Sequence, residues 1–426
     1  RLSAKTIKAM LSPRNPEFYK LAALGVREGG IPVVVPPGFE PNSGDAYSLP
    51  HPTKQSECVA DALKRMVYEG FRAQGLCFVC TEDAARDLVG TFHCSPVQWA
   101  PKHGKPQGRN CNNCSFRGPG TKLPLNGDWL REEAKRTYGK IQHPTIEDII
   151  RMIEDFARKA VEAGHGDKVI RLWKMDLKGA YTLMSYRAAD VHRMACNLPG
   201  GLVVFFLCGT FGWGATPYAF QVITRAIAWE LNNGNKRLHG TCLMYVDDII
   251  GVSFEEDVNA DILTVKTLVE GLLGPGSIED SKTKLDENGI IEVIGYEIRF
   301  HERVVGIAPK NVKKAFYAAF EIQDGQHVTR TQVQRVASHA SRYKRICPLL
   351  APFSRDLYGA LKGKTDPHVR FDLSPRAMRS VWALRILILL TEVIGQRFTR
   401  TFESFTNFTR QPSRAIEYDS CLTGLS

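Results

Sequence analysis

The stretch Cys242–Ser253, CLMYVDDIIGVS, constrains the chain most. Strand formers flank it on both sides: Leu243, Met244, Tyr245 and Val246, then Ile249, Ile250 and Val252. Asp247 and Asp248 interrupt them. The pattern predicts a β-hairpin with the acidic pair at its turn. Unpaired carboxylates are costly to bury, so a hairpin of this kind has to bring them to solvent or to a cation. A plain Asp-Asp turn with no chemistry is the bland alternative.

A second acidic site weighs against that alternative. LWKMDLKGAY ends another apolar strand in Asp176, 71 residues before Asp247. Two strands that each end in aspartate, joined through a strand and a helix, suit neighbours in one sheet. Their carboxylates would then converge. Hard oxygen donors select Mg²⁺ or Mn²⁺. Two such ions stabilise the attacking and leaving oxygens of an in-line phosphoryl displacement.

Composition adds a partner class. Lys and Arg number 56 against 45 Asp and Glu, a net charge of +11, which favours a polyanion such as nucleic acid. With 43% hydrophobic and 24% charged residues, the 426-residue chain is ordinary globular material for two to four domains. Eleven scattered cysteines do not form a disulfide framework, which implies a reducing, intracellular compartment, cytoplasm or nucleus. No signal peptide is recognisable. The apolar run ALRILILL contains Arg385 and falls far short of the roughly 20 residues a membrane span needs. The chain begins at Arg1 without methionine, which we read as a piece of a longer polyprotein.

Along the chain, the first 55 residues are rich in Pro and Gly, with one β-type run at Ile31–Val35. Helical spacing marks 56–74. A strong amphipathic helix is expected from an N-cap at Thr145, with Glu147 and Asp148 in its first turn and Gly164 or Gly166 at its end. A helix from Pro217 to about Leu231 is stopped by NNGN. Further helices are expected at 258–272 and throughout 310–396, with strands in GIIEVIGYEIRF and VVGIAPK.

YVDD in an apolar hairpin, preceded by DLKGAY and FGWGATPYAFQ, resembles the palm of reverse transcriptases. The order and spacing of the three motifs match, and the resemblance covers about residues 90–400. The most similar elements are retrotransposons of the long-terminal-repeat and DIRS-like types. The resemblance implies an α+β right-hand polymerase with an antiparallel palm sheet. Its segments would be a lead-in at 1–70, fingers at 71–170, palm at 171–300, thumb and connection at 301–400, and the start of a ribonuclease H-like domain at 401–426. Asp419 would be an acidic residue of that last domain.

The same resemblance implies roles. Asp176, Asp247, Asp248 and the backbone carbonyl of Leu177 would hold two Mg²⁺, with Mn²⁺ an alternative. Tyr181 would act as a steric gate against a ribose 2′-hydroxyl, or else serve only as a core aromatic. Phe211 and Gly212 would border the dNTP, and Tyr245 would lie near the primer terminus. Gln221 would face the template side or be a surface amide. Lys282, or alternatively Lys284, would donate a proton to the leaving pyrophosphate. Gly295 would sit in a primer-gripping hairpin. Lys102 and Arg109, seven apart in VQWAPKHGKPQGRN, would grip the triphosphate by a point charge and a planar fork, with Lys105 a weaker candidate. Basic thumb helices would contact phosphates of an RNA or DNA template–primer duplex.

Three stretches depart from the family pattern. Gly209-Thr210 replaces Leu-Pro before Phe211, NCS (Asn113–Ser115) replaces Asp-hydrophobic-Ser, and the 67 residues from Arg109 to Asp176 exceed the usual spacing. The excess belongs either to an insertion at 115–140 or to an extended 145–163 helix. Cys77-x-x-Cys80 and Cys111-x-x-Cys114 read as free thiols, with structural zinc the alternative. Two rival functions remain. One is an RNA-dependent RNA polymerase, against which Tyr181 speaks. The other is a non-catalytic nucleic-acid-binding relic of a mobile element.

Overall fold

The computed structural model describes residues 2–23, 29–42, 75–102, 105–117, 123–198, 200–364, 366, 369–393 and 398–406, with the backbone course alone along 98–110 and at 392–393. The helix expected at 56–74 and the segment around Asp419 lie outside the described residues. Contacts divide the chain into two compact units. Arg1–His143 joins Lys174–Lys284, and Pro144–Trp173 joins Leu285–Ser426. The Thr145 helix falls in the second of these units.

The first unit carries the acidic hairpin. A four-stranded sheet runs in the order Thr241–Tyr245, Asp248–Phe254, Ile170–Asp176, Lys284–Leu285. The helix Thr216–Asn233 packs beside it, with Pro217 in its first turn, where a missing N–H costs nothing. Ala219, Phe220, Val222, Ile223, Ala226 and Ile227 are buried almost all round this helix, as a central helix requires. Its C-cap at Gly234 agrees with NNGN as the stop. The helix Val258–Leu273 packs against both.

A second, antiparallel sheet orders Cys77–Thr81, Leu202–Phe206 and Ala195–Leu198, closing a small core of Phe92, Ala195, Val203 and Phe205. Val97–Lys102 and Lys105–Asn112 form the hairpin expected around HGKPQG. The β-type run at Ile31–Val35 is not a strand. Ile31 makes one parallel bridge to Tyr186, and the Val33 amide donates to the Asp190 carboxylate, so neighbouring polar groups take up its backbone.

In the second unit Thr145 caps Ile146–Glu162 through a reciprocal capping box with Asp148. Ile146, Ile149, Ile150 and Ile153 form its buried stripe. The helix ends at Gly164, whose φ is 77°, with His165 N–H reaching back to Ala160 O. A second helix, Asp128–Tyr138 in the first unit, also lies within the 67 residues between Arg109 and Asp176. The strands Ile290–Val293, Tyr296–Arg299, Val304–Ile307 and Thr399–Thr401 make an antiparallel sheet. The helices Pro309–Glu321, Arg330–Ile346, Ala351–Ala360 and Pro375–Val393 enclose a core that includes Val333, Val336, Val381, Leu384 and Ile388.

Arg385, inside the apolar run, has a local reason to be there. Its Nε donates to Ala319 O at 3.0 Å and its Nη2 to Ile322 O, closing the end of the Pro309–Glu321 helix. Its guanidinium lies over the Phe320 and Trp382 rings, 5.2 and 4.6 Å from their centroids. No described helix is long and apolar enough to cross a membrane. Replacing Arg385 with Met would leave the two carbonyls without their charged donor. Chemical denaturation should show a loss of about 2 kcal/mol.

Candidate active site

The acidic hairpin is built with a strained turn. Tyr245 pairs with Asp248, so Val246 and Asp247 form a two-residue turn and Asp248 already belongs to the second strand. Val246 has φ 54°. Glycine is the usual residue at a first turn position with positive φ, and a β-branched residue there stores about 1–3 kcal/mol of strain. Backbone bonds brace the turn. Leu177 N–H donates to Asp247 O at 2.8 Å, Lys178 N–H to Ser277 O at 2.8 Å, and Glu279 N–H to Asp176 O at 2.9 Å. Three stretches far apart in sequence are thereby tied at one sheet end.

Asp176, Asp247 and Asp248 are near enough to act on one another electrostatically. Burial first, then the charges of Asp247 and Asp176, push the Asp248 carboxyl up to about 6, with Lys174 and Lys282 opposing them. Of the two candidate lysines, Lys282 donates from its Nζ to Asp176 Oδ2 at 2.5 Å, while Lys284 is exposed in the short edge strand. Among the described residues, no three His, Cys, Asp or Glu side chains stand grouped as a metal site. The donor chemistry nonetheless suits a hard divalent cation, since three carboxylates share one field and raise Asp248 between them.

Tyr181 lies beside this cluster. Its hydroxyl is pushed up by burial and then by Asp247. Its ring is 5.2 Å from Phe211 and 5.7 Å from Phe220, centroid to centroid. It is half-buried and part of an aromatic cluster, which accommodates both a gate and a packing role.

The unusual Gly209-Thr210 has a steric cause. A Cβ at residue 209 would come within 2.5 Å of Tyr181 O, so only glycine lets this loop approach Tyr181. Thr210 is buried, its N–H donating to the Tyr186 hydroxyl and its carbonyl accepting from Thr216 Oγ1. Gly212 has φ 108°, and a Cβ there would lie 1.8 Å from Asn112 O. It thus permits a close approach of this loop to the Asn112 backbone.

Gln221 is buried and donates its amide to Gln142 O at 2.7 Å, so it is not a surface amide. The next residue, His143, packs its ring 5.1 Å from Tyr245, and burial lowers its pKa. Sequence reasoning missed His143, because a lone histidine ahead of a helix carries no pattern. Lys102 pairs with Lys105 and Ala100 with Arg109, with a register shift between the two pairs, so the triphosphate-gripping candidates sit on facing strands of one hairpin. Gly295 lies in the second unit at the turn between Val293 and Tyr296, its carbonyl held by Asn311 Nδ2 at 3.1 Å. Cys77 and Cys114 are buried, and burial pushes Cys114 up to about 12, which opposes the thiolate that zinc requires.

No family model matches the chain. Among curated proteins, the transposon Tf2-3 and Tf2-4 polyproteins of Schizosaccharomyces pombe (strain 972 / ATCC 24843) are each 25% identical over 189 residues. The chain resembles retrotransposon reverse transcriptases. The match takes in 44% of this chain and 13% of each polyprotein. Two solved structures have a similar chain course. A foamy viral protease-reverse transcriptase dRH in complex with double-stranded DNA is 14% identical with a TM-score of 0.49, covering 90% of this chain and 59% of that one. A foamy viral protease-reverse transcriptase in complex with double-stranded DNA is 13% identical with a TM-score of 0.47, covering 91% and 72%. The observed fold is α+β with antiparallel sheets, as the sequence resemblance implied.

The raised Asp248 carboxyl has a pH signature. In the unfolded chain it titrates near its ordinary value, in the folded chain near 6, so the fold holds the extra proton between them. Its contribution to stability therefore falls as pH rises through that window, and the penalty is complete above about 6. Without divalent metal, Asp248→Asn should stabilise the protein by about 1–2 kcal/mol at pH 7.5, allowing for partial solvent screening. The gain should vanish below about pH 4 in urea titrations across pH.

Proposed function

We propose that the chain is an RNA-directed DNA polymerase, adding dNTPs to a primer 3′-hydroxyl on an RNA or DNA template. The convergence of Asp176, Asp247 and Asp248 at one sheet end, with Lys282 beside them, carries this reading. The basic charge and the similarity to retrotransposon polyproteins support it. Fingers at 71–170, palm at 171–300 and thumb and connection at 301–400 belong to the same proposal.

Two Mg²⁺, held by the three aspartates and the Leu177 carbonyl, would supply electrostatic stabilisation of the phosphoryl transfer. The aspartates' task is to hold charge in a braced geometry that needs no rearrangement during reaction. The step joins the primer 3′ oxygen to the α-phosphorus and breaks the bond to the β-phosphate bridge. The primer hydroxyl's proton leaves to solvent, and the departing pyrophosphate takes a proton from the Lys282 ammonium. Asp176 would release Lys282 for that task as the active complex assembles. Lys102 and Arg109 would bind the triphosphate, and Tyr181 would crowd the position of a 2′-hydroxyl. Tyr245, packed on His143, would border the primer terminus, and Gln221 would act on the template side through the 142–143 segment it holds. Gly295 would serve the primer grip in the second unit.

One observation favours the relic reading: Lys282 is engaged with Asp176. Primer extension on an RNA template with Mg²⁺ separates the two. The wild type should extend with dNTPs, and the Asp247→Asn, Asp248→Asn double variant should not, while duplex binding persists. Duplex binding without extension by the wild type would establish the relic. Tyr181→Val should keep extension and raise the use of NTPs relative to dNTPs by about 10-fold or more, as expected when a clash worth over 1.4 kcal/mol is removed.

A further inference from the structure

Asn126 lies outside every motif, in the stretch ahead of the Asp128–Tyr138 helix. Its side chain joins two segments of the first unit that depart from the family pattern. Nδ2 donates to Gly212 O at 2.7 Å and to Ser115 Oγ at 3.0 Å, and Oδ1 accepts from Gly214 N–H at 2.8 Å. Its own backbone N–H donates to Cys114 O at 2.8 Å. One amide group thus satisfies a carbonyl and an N–H on either side of Trp213, and anchors both to the segment containing Asn113–Ser115.

The clamp fits a loop that cannot hold itself. Residues 209–214 contain three glycines, and Gly212 has φ 108°. Such a loop has many accessible conformations, and fixing it in one requires bonds from outside. Asn112 N–H supplies one, donating to Phe211 O at 2.8 Å, and Asn126 supplies two more. What the clamp fixes is the placement of Phe211, whose ring meets Tyr181.

We infer that Asn126 is a positioning residue for nucleotide selection, holding the 211–214 loop so that Phe211 and Tyr181 together shape the sugar-binding wall. The catalytic part rests on the proposed polymerase function; the clamp itself does not. Asparagine is specified by its two faces, one donor for Gly212 and one acceptor for Gly214. Aspartate has the same shape but no donor, and would set a second acceptor against the Gly212 carbonyl.

Two measurements test this on the full chain, with Asn126→Ala, Asn126→Asp and Ser115→Ala. The first is amide hydrogen exchange across 211–216. Asn126→Ala should exchange there about 10-fold faster or more, while Ser115→Ala, which keeps both loop bonds, stays near wild type. Unchanged exchange in Asn126→Ala, or equal acceleration in Ser115→Ala, would overturn the clamp. The second is single-nucleotide extension. Asn126→Ala and Asn126→Asp should raise the KM for dNTP about 10-fold, leave kcat within about 3-fold, and lower dNTP-over-NTP selectivity. Wild-type KM and selectivity in both variants would overturn the positioning role. A wild type with no extension would sink the polymerase reading instead, and the exchange comparison would still decide the clamp.

Discussion

The bond from Leu177 N–H to the Asp247 carbonyl is the constraint on which the site depends. It locks the end of one strand to the turn of a hairpin 70 residues away in sequence. It holds the backbone of Asp176 and Asp248, on either side of that bond, beside Asp247. Their mutual repulsion appears in the raised Asp248 carboxyl, and the Lys282 ammonium on Asp176 partly offsets it. A sheet end that gathers three carboxylates works against its own stability, and the strained φ of Val246 adds to the cost. Such costs concentrate where a protein does chemistry.

The same economy of space shapes the neighbouring loop. Gly209 is held to glycine by the Tyr181 carbonyl, and Gly212 by the Asn112 carbonyl. Substituting Gly-Thr for Leu-Pro therefore does not loosen the region. Thr210 replaces rigid proline with hydrogen bonds to Tyr186 and Thr216. Asn126 binds the Gly212 and Gly214 backbone from the other side. The stretches around Gly212 and Asn113 are joined by Asn126 and by the bond from Asn112 N–H to Phe211 O.

Legibility in the sequence followed the range of the interaction. The Thr145 helix, the Pro217 helix and the YVDD hairpin rest on local signals of capping, periodicity and alternation, and their boundaries came out within about two residues. Asp176 was legible because a strand ending in aspartate is a local oddity. The contact of Lys282 with Asp176 was not, since it depends on how the 277–282 segment docks through Lys178 and Glu279. Gln221 reads equally as a template-side group or a surface amide until the Gln142 carbonyl is placed against it. His143, Asn126 and the reason for Arg385 arise only from long-range contacts. The run at Ile31–Val35 shows the reverse error, where β-branched residues suggested a strand but, among the described residues, it makes one bridge only.

The central claim is that Asp176, Asp247 and Asp248 form a divalent-cation centre once the nucleotide is present. Mn²⁺ binding followed by electron paramagnetic resonance, with a primer–template duplex and a dNTP, tests it without requiring turnover. The account predicts protein-dependent Mn²⁺ binding by the wild type that is lost in an Asp176→Asn, Asp247→Asn variant retaining its far-ultraviolet circular dichroism. Equal Mn²⁺ binding by the two proteins would contradict it.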